Sequence, residues 1–178
     1  MSVAVLAASV AVVGMERAIA SAFSIKDIAS QIAQKTNVPI LLPSEDIVEK
    51  YKFDSSETIY AFVSTASKYA DYDVTFNNRP GDVGDAAFRF SISAQQGKDF
   101  ERLPADSNPD YNPKYTQVKL FDSSQALVTT WCGGTACWST VQWKSNGVLY
   151  RVTSKKRQPY AALAISNSAI KVGDRRLK

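Results

Sequence analysis

Apolar and polar side chains alternate along two stretches in the middle of the chain. Residues 71–76 set Tyr72, Val74 and Phe76 on one side and Asp71, Asp73 and Thr75 on the other. Residues 88–94 do the same with Phe88, Phe90, Ile92 and Ala94 inward. A period of two describes strands buried on one face. Asn78-Arg-Pro-Gly-Asp-Val-Gly84 joins them as a turn-rich loop. Residues 58–64 mix a helical spacing (Ile59, Phe62, Val63, Ala66) with residue types that favour strand, and read as strand.

The pattern is most constrained from residue 125 onward. Asn146-Gly147 is a two-residue hairpin turn, which pairs Lys144 with Leu149, Trp143 with Tyr150, Gln142 with Arg151, Val141 with Val152 and Thr140 with Thr153. If Cys132 faces Cys137, the preceding hairpin pairs Trp131 with Trp138, Thr129 with Thr140 and Val128 with Val141. The two registers then sort the same side chains. Ala126, Val128, Val141, Trp143, Val148, Tyr150, Val152 and the cysteines share a core face. Leu127, Thr129, Trp131, Trp138, Thr140, Gln142, Lys144, Arg151 and Thr153 share an outer, largely polar face. A slip of one residue would invert both faces.

Helical spacing appears at the two ends. Ser24-Ile-Lys-Asp27 has the form of a capping box, and Ile25, Ile28, Ala29 and Ile32 follow at helical intervals until Asn37 and Pro39 end the run. Residues 38–42 form a short apolar segment, predicted as an edge strand because Pro39 cannot donate to a ladder. Residues 43–57 read as irregular with one helical turn at 45–50. Residues 97–113, with Pro104, Pro109 and Pro113, read as a long excursion. Pro159 opens a final helix and Gly173 stops it; its apolar positions (Leu163, Ala164, Ile165, Ala169, Ile170 among them) predict packing on the core face. The fold class expected is α+β: a mostly antiparallel sheet with an N-terminal helix and a packed C-terminal helix.

Composition narrows the chemistry. The chain has 178 residues, enough for one domain with a core, and contains no histidine and two cysteines. Ser-His-Asp and Cys-His centres are therefore impossible, and two thiols cannot close a tetrahedral zinc site. At the start, residues 3–13 are an eleven-residue apolar run, and Ala20-Ser-Ala22 fits an A-x-A cleavage site. Residues 1–22 are thus expected to be a signal peptide cut before Phe23, with 23–178 a single exported domain. No Lys or Arg precedes the run, so the alternatives are a true start upstream of Met1 or a buried helix. Eleven residues are too few for a comfortable bilayer span, which argues against a permanent anchor. A Cys132–Cys137 disulfide agrees with an oxidising periplasmic or extracellular location. C-x₄-C lacks the spacing of redox-active C-x-x-C pairs and reads as structural.

Residues 151–178 carry eight basic residues and one acid, +7, whereas 13 basic and 16 acidic residues precede them, −3. A basic end suits an anionic surface. Lys155-Lys156-Arg157 as a solvated loop and Arg175-Arg176-Lys178 as a frayed tail explain it equally well.

Three sets of residues are chemical candidates. Trp131 and Trp138, with Thr129 and Thr140 beside them, could stack on a sugar ring or dock a protein. The same indoles could equally be a stabilising cross-strand pair, worth roughly 0.2–1 kcal/mol, or lie under the 97–113 excursion. Asp71 and Asp73, roughly 6.5–7 Å apart on one strand face, approach the spacing of inverting glycosidases. Asp99, Glu101, Asp106 and Asp110 are acids without EF-hand spacing.

Trp143-x-x-x-Gly147-x-x-Tyr150, followed by Leu163-Ala-Ile-Ser-Asn-Ser-Ala-Ile170, resembles the end of an uncharacterised family of bacterial exported domains. Pro39-Ile-Leu-Leu-Pro43-Ser and the cysteine hairpin add to the likeness. Such domains stand alone or beside anti-sigma factors. The resemblance implies an α+β sensor or binding module and supplies no site residues. The expectation is an exported, non-enzymatic binding or sensory module. Its partner would be an envelope protein, a glycan or an anionic surface, with no nucleic acid, cofactor or metal involved. The alternative is a carboxylate-dependent hydrolase of cell-envelope polysaccharide.

Overall fold

Ser24 caps the first helix as its spacing predicts: its hydroxyl accepts the Asp27 N–H at 3.3 Å. Helix α1 (Ile25–Ala33) buries Ile25, Ile28, Ala29 and Ile32 along one stripe. A short helix, α2 (Glu45–Lys50), follows. The computed structural model describes residues 24–52, 56–67, 69–81, 86–105, 112–133, 136–155 and 159–177. The expected leader over residues 1–22 lies outside the described residues. So do Asp106, Asp110, Lys156 and Arg157.

Seven strands form one sheet: β1 (Tyr60–Ser67), β2 (Ala70–Asn77), β3 (Phe88–Gln96), β4 (Lys114–Lys119), β5 (Gln125–Gly133), β6 (Ala136–Ser145) and β7 (Val148–Ser154). Every pairing is antiparallel, in the order β1-β2-β3-β7-β6-β5-β4. The chain therefore runs as a meander to the middle of the sheet, crosses to the far edge, and returns as a second meander that closes on β3. The residues after β3 make that crossing.

Both C-terminal hairpins have the expected registers, including Trp143 opposite Tyr150 and Trp131 opposite Trp138. Asn146 (φ 50°) and Gly147 (φ 75°) are both left-handed, the backbone that a two-residue hairpin turn requires. On the predicted core face Ala126, Val128, Val141, Trp143, Val148, Tyr150 and Val152 are buried while the cysteines at its end are half-buried, and Trp143 and Tyr150 stack with ring centroids 5.3 Å apart. Tyr72, Val74 and Phe76 are buried on the same side. Helix α3 (Tyr160–Val172) lays Ala162, Ile165, Ser166 and Ala169 onto this face and ends at Gly173, φ 77°. The result is α+β, with the helices on one side of the sheet.

Four features differ from the sequence expectation. Residues 38–42 are not a strand; among the described residues their one bridge is Leu41 with Asp174. The segment is buried, and side chains take the place of a neighbouring strand. Tyr72 Oη accepts the Leu41 N–H at 3.1 Å, Tyr150 donates to the Pro39 carbonyl at 3.0 Å, and Asp174 accepts the Ile40 N–H at 2.9 Å. Burial pushes both phenols well up, so both remain hydroxyl donors. Arg175 and Arg176 are not frayed either, and Lys178 lies outside the described residues. Arg175 donates to the Pro43 carbonyl at 2.7 Å, Arg176 donates to the Asn37 carbonyl, and residues Arg175–Leu177 form a single 3-10 turn.

The third difference is a bulge where Asn77 meets Phe88, which leaves Phe88 half-buried and turns Arg89 into a buried position. Arg89 is ion-paired with Glu57, and Asn78 donates to the same carboxylate at 2.8 Å. The fourth is β4, which the residues did not announce: its six positions carry two lysines and no apolar alternation.

Candidate functional site

The face of the sheet away from the helices carries Asp71, Asp73, Thr129, Thr140, Trp131 and Trp138; Cys132 and Cys137 take the opposite face, and Asp99 and Glu101 belong to the crossing segment. Read across the strands by register, one row runs Thr75, Ser91, Thr153, Thr140, Thr129, Tyr115. The next runs Asp73, Ser93, Arg151, Gln142, Leu127, Gln117. Trp131 and Trp138 lie beyond the hydroxyl row, at the tip end of the β5–β6 hairpin, next to the Cys132–Cys137 pair.

The two indoles stack with centroids 4.4 Å apart and 22° between planes. Both are half-buried, whereas Trp143 on the opposite face is fully buried. A Cβ added at Gly133 would sit 3.6 Å from Trp131 Cζ3, so the ring lies along backbone bared by a small residue. Cys132 and Cys137 are joined, with Cα atoms 4.0 Å apart. Neighbouring side chains on a strand point to opposite faces, so the bridge clamps the hairpin from behind the indoles.

The hydroxyl row is less open than the alternation predicts. Thr129 and Thr140 are 2% and 9% exposed, and Leu127 and Gln142 are buried as well. The Thr140 and Thr153 hydroxyls share a hydrogen bond of 3.1 Å. Among the described residues the Thr129 hydroxyl has no hydrogen-bond partner. Part of the cover is the crossing segment. Glu101 exchanges two backbone hydrogen bonds with the Gln142 amide, at 2.9 and 2.8 Å. Asp99 pairs with Lys144 and Glu101 with Arg151. Farther on, Tyr115 Oη accepts the Leu103 N–H at 2.8 Å, and the Arg102 guanidinium lies 5.0 Å from the Tyr115 ring centroid. Residues 99–103 of the excursion are thus tied over β6, β7 and β4, and Thr129 and Thr140, expected to meet a ligand, are buried.

The acids have partners of their own. Asp71 accepts the Gln96 N–H at 2.7 Å, and Asp73 accepts the Thr75 hydroxyl at 3.0 Å. Burial raises the Asp73 carboxyl above the usual carboxylate range, against the pull of Thr75 and Arg151. The Lys144 ammonium, by hydrogen bond and charge, holds Asp99 below that range. No group of three or more His, Cys, Asp or Glu among the described residues could hold a metal ion. No helix among them is long and apolar enough to cross a membrane.

Residue-by-residue reading missed the clasp formed by Tyr72, Tyr150, Asp174, Arg175 and Arg176 around residues 37–43. Two signals pointed to it. Asp174 is the one acid among the eight basic residues of the tail, and Pro39 weakens any strand that contains it. No family model, curated protein or solved structure matches this chain.

Proposed function

We propose that this chain is a non-enzymatic binding or sensory module of an oxidising envelope compartment, and that it engages its partner through the Trp131/Trp138 end of the outer sheet face. The observation that carries the reading is the contrast among the three tryptophans. One fills the core, while two stack half-buried on the opposite face of a clamped hairpin. Paired, rigid aromatics of this kind supply contact area at low cost in side-chain entropy, which suits a protein surface or a sugar ring. The likeness of the Trp143–Tyr150 and Leu163–Ile170 motifs to exported sensor-type domains supports the same class. The basic end contributes less than its charge suggests, because Arg151, Arg175 and Arg176 are committed to internal partners.

Affinity capture from bacterial envelope extract tests the reading, using the oxidised protein at about 0.15 M and about 1 M salt. The wild type retains a partner at both concentrations. Trp131→Ala/Trp138→Ala, still cooperatively folded, loses it. Equal retention by the folded double variant contradicts the anchor role, and retention confined to low salt assigns binding to charge instead.

A further inference from the structure

The sheet ends in two unlike edges. Strand β4 closes one side with Lys114 and Lys119 at its two ends, the usual way of blunting an edge against pairing. Strand β1 closes the other and, among the described residues, is hydrogen-bonded only to β2. Over its eight residues, Tyr-Ala-Phe-Val-Ser-Thr-Ala-Ser, it has no charge, no proline and no glycine. Ala61 and Val63 pack on the core yet stay half-exposed along this border, and Phe62 is half-exposed on the outer face. One more strand would complete the cover of all three.

We propose that β1 pairs antiparallel with β1 of a second copy of this chain, joining the two sheets edge to edge about a twofold axis. The strand is self-complementary in size. Its bulk lies in the first half, at Tyr60 and Phe62, and the second half carries Ser64 and Thr65. A twofold axis through Val63 sets Phe62 against Ser64 of the second copy and Ala61 against its Thr65, so neither face is overfilled. Charge does not oppose the junction. The nearest acids on the outer face, Asp71 and Asp73, stand one strand in from the edge. Three strand spacings then separate them from their counterparts, about 14 Å, which is beyond the screening length of about 8 Å at physiological salt. The axis of an antiparallel junction is perpendicular to the sheet. Both Trp131/Trp138 hairpins therefore face the same side, and the assembly presents them in pairs.

Sedimentation of the purified, oxidised chain between about 1 and about 200 µM tests the proposal. The expected result is a monomer–dimer equilibrium that Ser64→Lys weakens at least about tenfold, by setting two cations near the axis, with unchanged circular dichroism and melting. Amide exchange gives a second readout that needs no variant: β1 amides become protected as concentration rises. A monomer throughout the range overturns the proposal. So does a dimer indifferent to Ser64→Lys, or one that forms while β1 amides still exchange.

Discussion

Asp73 projects from the outer face of β2 with a hydroxyl and, farther off, a guanidinium for company, and burial still dominates its titration. A carboxyl whose folded pKa is raised binds more protons in the native than in the unfolded state. Stability therefore falls as pH climbs from about 3.9, the unfolded value, through the raised folded one, and the full penalty remains above both. Asp73→Asn keeps an acceptor for Thr75 and removes the charge. It should raise the melting temperature at pH 7 and leave it unchanged at pH 3; equal effects at both pH values contradict the assignment. The alternation at 71–76 showed which side Asp73 would take. It could not show how deep the residue lies, because that depends on neighbours in β3 and β7. The same limit explains Thr129 and Thr140: their face was legible, while the segment tied over part of it, Glu101 on Gln142, comes from a stretch without periodicity.

At the scale of elements, the C-terminal hairpins were readable because local chemistry alone determines their register. Asn146-Gly147 accepts only one tight turn, and two cysteines separated by four residues can meet only across a turn. The crosslink closes a short loop and contributes about 2 kcal/mol on the chain-entropy estimate. Cys132→Ser/Cys137→Ser should lower the unfolding free energy by that amount in urea. Cross-strand nuclear Overhauser contacts from Ala126–Trp143 to Thr129–Thr140 should persist, since the side chains behind the tip already specify the pairing. Loss of those contacts would mean that the bridge sets the register. Strand β4 was not readable, because an edge with one solvated border needs no apolar alternation. Residues 38–42 misled for the opposite reason. They read as a strand because the run is short and apolar, but their hydrogen bonds go to side chains more than 30 residues away.

Across the whole molecule, two long-range closures hold the meanders together: the excursion on the outer face and the clasp of the tail on residues 37–43. Burial pushes the Asp174 carboxyl up, but hydrogen bonds from Arg176 and from the Ile40 and Arg176 N–H groups outweigh it and leave the pKa below the usual range. The clasp is therefore at full strength above about pH 4 and weakens as pH falls through the lower folded value. Asp174→Ala should lower stability by about 2 kcal/mol at pH 7, and its difference from wild type should shrink in acid. A difference independent of pH would show that the carboxylate charge plays no part. The signals at Asp174 and Pro39 marked the two ends, but no local pattern could pair them across 134 residues.

Two indoles stand paired and half-exposed on the outer face while the third fills the core. Iodide quenching of tryptophan emission in the oxidised protein addresses this contrast directly. The structure predicts a quenchable fraction that disappears in Trp131→Ala/Trp138→Ala and leaves only the protected emission of Trp143. Uniform protection in the wild type, or quenching unchanged in the double variant, would contradict it.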